Sequence, residues 1–208
     1  MCGRFANNVP AETLIARYQA KMSAAYSQNY NIAPTDLAPI VIETKGERDI
    51  HMGKFGIPMT MGAKSFPLIN IQSEKAAGRK DFSERRCIIP ASGFFEWVKV
   101  TPKDRQPYYF TPSNDSFFSF AGIWKQVGEG YAFSILTTQA NELVGPIHNR
   151  MPVILGHNQL GSWLGSATPK DELASLMGAY PANLMQVMPV SKAVNNARNK
   201  SEECIRPE

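Results

Sequence analysis

Cys2 follows Met1 and opens the run Met1-Cys2-Gly3-Arg4-Phe5. Methionine aminopeptidases remove Met1 when the next side chain is small, as cysteine is. The mature chain then begins with a free α-amine beside a thiol. The amine condenses with an aldehyde, and the thiol closes a five-membered thiazolidine ring on the imine. An internal cysteine, whose nitrogen lies in an amide, cannot do this. An α-amine titrates near ~7.7–8.0 and a lysine near ~10.4, so at neutral pH about a tenth of the α-amine is free base against under ~0.1% of a lysine. Position alone also fits a small residue in a frayed terminus, and the other reactive residues have to decide.

Three further residues suit proton transfer or positioning. Glu96 lies between Phe95 and Trp97 in an aromatic strand. Strand neighbours point to opposite faces, so Glu96 faces water, the commoner case, or enters a cavity. In an apolar pocket desolvation raises its pKa toward neutrality and suits it to shuttle protons. His148 stands in Pro146-Ile147-His148-Asn149-Arg150-Met151-Pro152, where it reads as a proton donor or a surface histidine, and Arg150 beside it suits a phosphate. Asn70 ends Phe66-Pro67-Leu68-Ile69-Asn70 and either orients the terminus or simply forms a turn. Cys87 reads as a buried core thiol.

The elements that must position these residues are mostly strands. Helices are expected over 11–20, with Leu14, Ile15 and Tyr18 on one face, and over 139–144, 159–164 and 171–177. Strands are expected over 39–43 and 49–55 around the turn Lys45-Gly46-Glu47, and over 87–90, 94–98, 107–110, 117–122, 132–137 and 185–190. Pro34 makes 30–34 a turn or extended segment. No βαβ alternation and no long linker occurs. The expectation is α+β, a single compact domain over 1–208 with a mainly antiparallel, barrel-like core and flanking helices.

The 208 residues carry a net charge of +4, with 43% hydrophobic and 19% charged residues, which suits a globular chain and is compatible with nucleic acid. No stretch approaches the ~18 apolar residues of a membrane span, and no signal peptide is visible. Three cysteines, Cys2, Cys87 and Cys204, without a CxxC pair argue against a disulfide framework or zinc site and fit a reducing cytoplasm. The basic stretches Arg79-Lys80, Arg85-Arg86 and 99–105 read as solvated surface.

Taken in order, several segments resemble the SRAP family, the SOS-response-associated peptidase domain that captures abasic sites in single-stranded DNA. They are Cys2-Gly3-Arg4-Phe5, Tyr30-Asn31-Ile32-Ala33-Pro34-Thr35, Leu68-Ile69-Asn70 and Arg86-Cys87-Ile88-Ile89-Pro90-Ala91-Ser92-Gly93-Phe94-Phe95-Glu96-Trp97. Further on come Phe133-Ser134-Ile135-Leu136-Thr137-Thr138, Ile147-His148-Asn149-Arg150-Met151-Pro152, Val194-Asn195-Asn196 and Cys204-Ile205. The resemblance implies that Cys2 forms a thiazolidine with the ring-opened abasic sugar. Asn70 would position Cys2, Glu96 would act as general acid and base, and His148 would protonate or bind the opened sugar. Arg4 and Arg150 would contact phosphates. It implies no metal or cofactor, a monomer, and a cytoplasmic protein held at the nucleoid when bound to DNA. Autocatalytic removal of residues before Cys2 is implied by the peptidase name.

Three positions depart from the family pattern. Gln72 stands where members commonly carry an arginine, so that DNA contact is lost or supplied by Lys75. Phe55 and Met59 flank Gly56-Ile57-Pro58 where members tend to carry tryptophans that wedge against bases, and Asn149 replaces a common aspartate. Two alternatives share the sequence: a thiol peptidase with Cys2 as nucleophile, and a non-catalytic single-stranded DNA binding module. If Cys2 is the reactive terminus, intact mass spectrometry of the purified protein reads a chain without Met1; retained Met1 leaves the aminothiol blocked.

Overall fold

Strands Phe5–Asn7, Arg86–Ala91 and Arg150–Pro152 are buried on both faces, whereas Ile57–Met61 and Lys64–Leu68 are mostly exposed. The computed structural model describes residues 2–76, 78–102 and 104–208, with the backbone alone at Lys80 and Asp81. Expectations that fall on Met1, on Lys103 within 99–105 and on the Lys80 side chain lie outside the described residues. The described strands form two sheets and a separate hairpin, with short helices at the edges. The chain is therefore α+β.

The first sheet has the order Met185–Pro189, Arg105–Pro112, Gly93–Lys99, Phe5–Asn7, Asn29–Ile32, all antiparallel. The N-terminal strand is thus flanked on both edges. Along Gly93–Lys99, Phe94 packs with Phe5, Phe110 and Phe120 on one side, while Phe95 packs with Tyr109, Val190 and Val194 on the other. By the two-residue period, Glu96 shares the side of Phe94 and Trp97 the side of Phe95.

The second sheet runs Arg150–Pro152, Gly130–Gln139, Phe118–Val127, Arg86–Ala91, Leu37–Thr44, Glu47–Phe55, Lys21–Met22. Its organising strand is Gly130–Gln139. One edge pairs with Phe118–Val127 and then Arg150–Pro152, both antiparallel. The other pairs in parallel with Glu47–Phe55 and then with Asn70–Gln72. The contact with Glu47–Phe55 closes five strands into a ring. The sheets meet over a core of Phe5, Phe55, Phe94, Phe118, Phe120 and Phe133, with Cys2 and Cys87 among them.

Most expected elements occur, with corrected edges. Helix Ala11–Tyr18 ends where Gln19 turns left-handed at φ 50°, and only Leu14 and Tyr18 of the expected face are buried; Ile15 is 38% exposed. Leu14 and Tyr18 are four residues apart and share a stripe, whereas Ile15 lies about 100° further round. The expected helix over 139–144 is absent. Gln139 ends a strand, and the Asn141 side chain accepts the Leu143 and Val144 N–H groups at 3.1 and 3.0 Å, closing a local turn in place of helix. Arg86 is not solvated surface. It is buried, and its guanidinium donates to the carbonyls of Trp163 (2.6 Å), Phe82 (2.9 Å), Ser83 (2.8 Å) and Gly165 (2.6 Å). The hairpin Ile57–Met61 with Lys64–Leu68 was not expected; it turns at Gly62, φ 60°.

Gly93 lets the Glu96 strand approach its neighbour. A Cβ there falls 2.4 Å from the Phe110 carbonyl and 2.5 Å from the Tyr109 ring. Gly93→Ala is expected to lower stability by about 1–3 kcal/mol, seen as a fall of about 3–10 °C in Tm by thermal melting.

Candidate active site

The register of the first sheet brings the N-terminus to Glu96. Phe5 pairs with Phe94, and the Phe95 N–H donates to the Arg4 carbonyl at 3.0 Å. Continuing antiparallel, Gly3 runs beside Glu96. Cys2 is fully buried, and its thiol donates to the Arg4 carbonyl at 3.8 Å. Asn70 arrives from the second sheet, fixed by pairing with Ile135. Its Nδ2 donates to the Cys2 carbonyl at 3.0 Å, while its buried Oδ1 has no hydrogen-bond partner among the described residues. One bond therefore joins the two sheets at the residue of interest.

Glu96 is 4% exposed, so it occupies the interior and not the solvent face. Burial pushes its carboxyl up to about 7. Burial also pushes the Cys2 thiol well above its ordinary range, and the nearby Glu96 charge pushes it further. The thiol is thus held protonated beside a carboxyl that changes charge near neutral pH.

His148 lies in the turn before Arg150–Pro152, a strand paired to the same organising strand as Asn70–Gln72. The Arg150 N–H donates to His148 Nδ1 at 3.0 Å in the tautomer with hydrogen on Nε2, and the Arg150 carbonyl, 3.2 Å from the same nitrogen, accepts from it in the other. Partial burial lowers the His148 pKa, favouring the neutral ring. Arg150 is buried and forms a two-pronged pair with Glu74, Nη1–Oε1 2.6 Å and Nη2–Oε2 2.8 Å, while Nη2 also reaches the Thr137 carbonyl. The pair holds the Glu74 carboxyl down at about 2. A phosphate reaching this guanidinium must share it with, or displace, Glu74.

Gln72 is exposed two residues beyond Asn70 on the same strand, and Lys75 is exposed nearby in sequence. Arg4 is half-buried. Its Nη1 donates to Asn31 Oδ1 at 2.7 Å and to the Val194 carbonyl at 2.8 Å, and its guanidinium lies 5.7 Å from the Trp97 ring centre. Arg4 and Trp97, with Pro102, Asp104, Arg105 and Asn195, line a surface depression of about 390 Å³. Phe55 cannot act as a wedge. It is fully buried and stacks on Phe133 at 5.3 Å, leaving Met59, 37% exposed on the hairpin.

Cys2, Asn70 and Glu96 therefore come together, with His148 and Arg150 joined by their own hydrogen bonds. Sequence reasoning missed Glu74 and Asn31 as partners of the two arginines. Asn31 lies in a segment already singled out, but the three carbonyls that its Nδ2 binds sit more than 160 residues away in sequence. Among the described residues no cluster of three or more His, Cys, Asp or Glu side chains is placed to hold a metal ion.

The family model for SOS response associated peptidase (SRAP) matches residues 1–197. The chain belongs to the SRAP family. The SRAP chain is 34% identical to the abasic site processing protein YoqW of Bacillus subtilis, over 99% of each chain. It is 28% identical to the abasic site processing protein YedK of Escherichia coli over the full length of both. It is 26% identical to the abasic site processing protein HMCES of Mus musculus, over all of this chain and 76% of that protein. A solved structure of a protein from Bacteroides thetaiotaomicron has the same fold, with a TM-score of 0.83 at 22% identity over all of both chains. No helix among the described residues of the SRAP chain is long and apolar enough to cross a membrane.

The raised Glu96 pKa has a stability consequence of definite sign. The folded chain binds this proton more tightly than the unfolded chain, whose glutamate titrates near ~4.3, so stability falls as pH rises from there toward about 7. Glu96→Gln removes the ionisation. Its Tm relative to wild type is expected to increase across that window and level off above it, measured by thermal melts in buffers from about pH 4 to about pH 8.

Proposed function

We propose that this SRAP chain processes abasic sites in single-stranded DNA by linking itself covalently to them through Cys2 once Met1 is removed. The observation that carries the reading is the Asn70 amide on the Cys2 carbonyl, 3.0 Å, beside a buried Glu96 carboxyl. The relatives' names as abasic site processing proteins support the same substrate.

The chemistry follows from these groups. An abasic sugar is a closed hemiacetal in equilibrium with an aldehyde, so opening it needs proton transfer. Glu96 takes the proton of the ring hydroxyl, and the Nε2–H of His148 donates to the departing ring oxygen. The Cys2 α-amine attacks the aldehyde carbon. The carbinolamine loses water, with Glu96 supplying the proton to the leaving hydroxyl and the nitrogen returning a proton to His148, and leaves an imine. The thiol then adds to the imine carbon. Its proton passes through Glu96 to the nitrogen, and the thiazolidine closes. A buried thiol is a poor spontaneous thiolate, so a base titrating near neutrality is what this last step requires.

Ring closure matters for the DNA. An imine promotes elimination of the neighbouring phosphate and strand scission. The thiazolidine has no imine, so the strand survives. Arg4, Gln72 and Arg150 are the DNA contacts, with Arg150 exchanging Glu74 for phosphate. The protein acts as a monomer in the cytoplasm and follows DNA to the nucleoid.

The family description also carries a second reading, a peptidase with Cys2 as nucleophile. The raised thiol pKa counts against turnover of peptides in trans, because the thiolate is the attacking species. A non-catalytic DNA module would leave the buried Glu96 without use.

Incubation of mature protein with abasic single-stranded DNA is expected to give an adduct that survives heating on a denaturing gel. Cys2→Ala is expected to give none of comparable stability, and Glu96→Gln to slow formation by about 100-fold or more. An equally stable Cys2→Ala adduct overturns the proposal.

A further inference from the structure

Asn31 is a fully buried polar side chain that the proposed chemistry does not use, yet it ties together both ends of the chain. Its Oδ1 accepts Nη1 of Arg4 at 2.7 Å. Its Nδ2 donates to three carbonyls of the C-terminal segment, Val194 at 3.3 Å, Asn196 at 3.1 Å and Asn199 at 2.7 Å. Its backbone carbonyl accepts Nζ of Lys200 at 2.7 Å, and the same ammonium pairs with Asp36.

The same segment grips Arg4 directly. The Val194 carbonyl accepts from Arg4 Nη1 at 2.8 Å, and Asn195 Oδ1 accepts the indole N–H of Trp97 at 2.6 Å. Trp97 in turn stacks under the guanidinium. Arg4 is therefore held on one nitrogen by fixed acceptors and on one face by an aromatic ring. Its Nε is buried with no hydrogen-bond partner among the described residues, and the guanidinium lines the surface depression it shares with Trp97, Arg105 and Asn195.

An amide is what this joint requires. It presents an acceptor to a cation and donors to carbonyls from one planar group. Aspartate keeps the first and repels the second. An apolar side chain removes one acceptor from the guanidinium and one donor from each of the three carbonyls.

We infer that Asn31 is a positioning residue that, together with the C-terminal segment around Val194–Asn199, sets the Arg4 guanidinium for one phosphate of the bound strand. This rests on the reading of Arg4 as a DNA contact. Arg4 also accepts the Cys2 thiol on its carbonyl, so the joint steadies the reactive terminus from two residues away.

The test uses the full chain and single-stranded DNA carrying a tetrahydrofuran abasic analogue, which has no aldehyde and binds reversibly. Affinity is measured by fluorescence anisotropy over a series of salt concentrations for wild type, Arg4→Ala, Asn31→Ala and the double variant. Thermal melts establish that each is folded at the assay temperature. Should Asn31→Ala be unfolded, Asn31→Ser takes its place, polar enough for the buried site but too short to hold Arg4 and the three carbonyls at once.

The expected result is that Arg4→Ala lowers the slope of log affinity against log salt by about 0.7, one phosphate contact on a single strand. The folded Asn31 variant lowers the slope in the same direction, and its effect vanishes when Arg4 is already alanine. A folded Asn31 variant with the wild-type slope, or with an undiminished effect in the Arg4→Ala background, overturns the inference alone. An unchanged slope in Arg4→Ala overturns the DNA role of Arg4 and this inference with it.

Discussion

The structure depends on holding a chain terminus inside a sheet. Phe5–Asn7 is only three residues long, yet it pairs on both edges, with Gly93–Lys99 and with Asn29–Ile32. Termini ordinarily fray, because few contacts offset the entropy of ordering them. Here Phe5 is fully buried against Phe55 and Phe120, with ring centres 5.4 and 6.1 Å apart. The fifth residue is thus anchored in the core, and the preceding residues are placed by sheet register. Arg4 follows from the Phe95 bond, and Cys2 from the Asn70 bond.

That placement sets the electrostatics. A carboxyl buried beside the terminus favours its neutral form, and the adjacent thiol is held protonated for the same reason. Neither charge state suits a free-standing nucleophile. They suit a pair that exchanges a proton, where the carboxyl accepts what the thiol must lose. On the other sheet burial lowers the His148 pKa and favours the neutral ring, whose Nδ1 lies against the Arg150 backbone. The acid–base character therefore comes from where the strands put the groups, since both glutamate and cysteine are shifted far from their behaviour in water.

Arginine behaves differently in its three settings. Arg86 is consumed by four backbone carbonyls and serves the fold. Arg150, itself buried, is matched by the more exposed Glu74. Arg4 lines a surface depression beside Trp97, and it shares with Arg150 a buried Nε that has no hydrogen-bond partner among the described residues. The sequence reads Arg86 as solvated surface and Arg4 and Arg150 as phosphate contacts; the tertiary partners move Arg86 into the scaffold.

The strand positions were legible because period-two alternation and turn residues are local: Leu37–Thr44 and Glu47–Phe55 pair around Lys45-Gly46 as read from the sequence. The segment around Asn141 misled, because an asparagine side chain competes with the helical backbone at close range, and that choice depends on the surroundings. The ring closure through Gly130–Gln139 could not be read, since parallel pairing links segments far apart in the chain.

By itself the sequence determined the strand-rich α+β character, the residues able to do aminothiol and acid–base chemistry, and, through ordered motifs, the SRAP family. Those are properties of residue type and local spacing. The tertiary structure decided that Glu96 faces inward, that Asn70 touches Cys2, that Phe55 is core, and that Asn31 binds Arg4 to the far end of the chain. A side chain's face is fixed only when both sides of its strand acquire neighbours, and its pKa only when those neighbours exclude water.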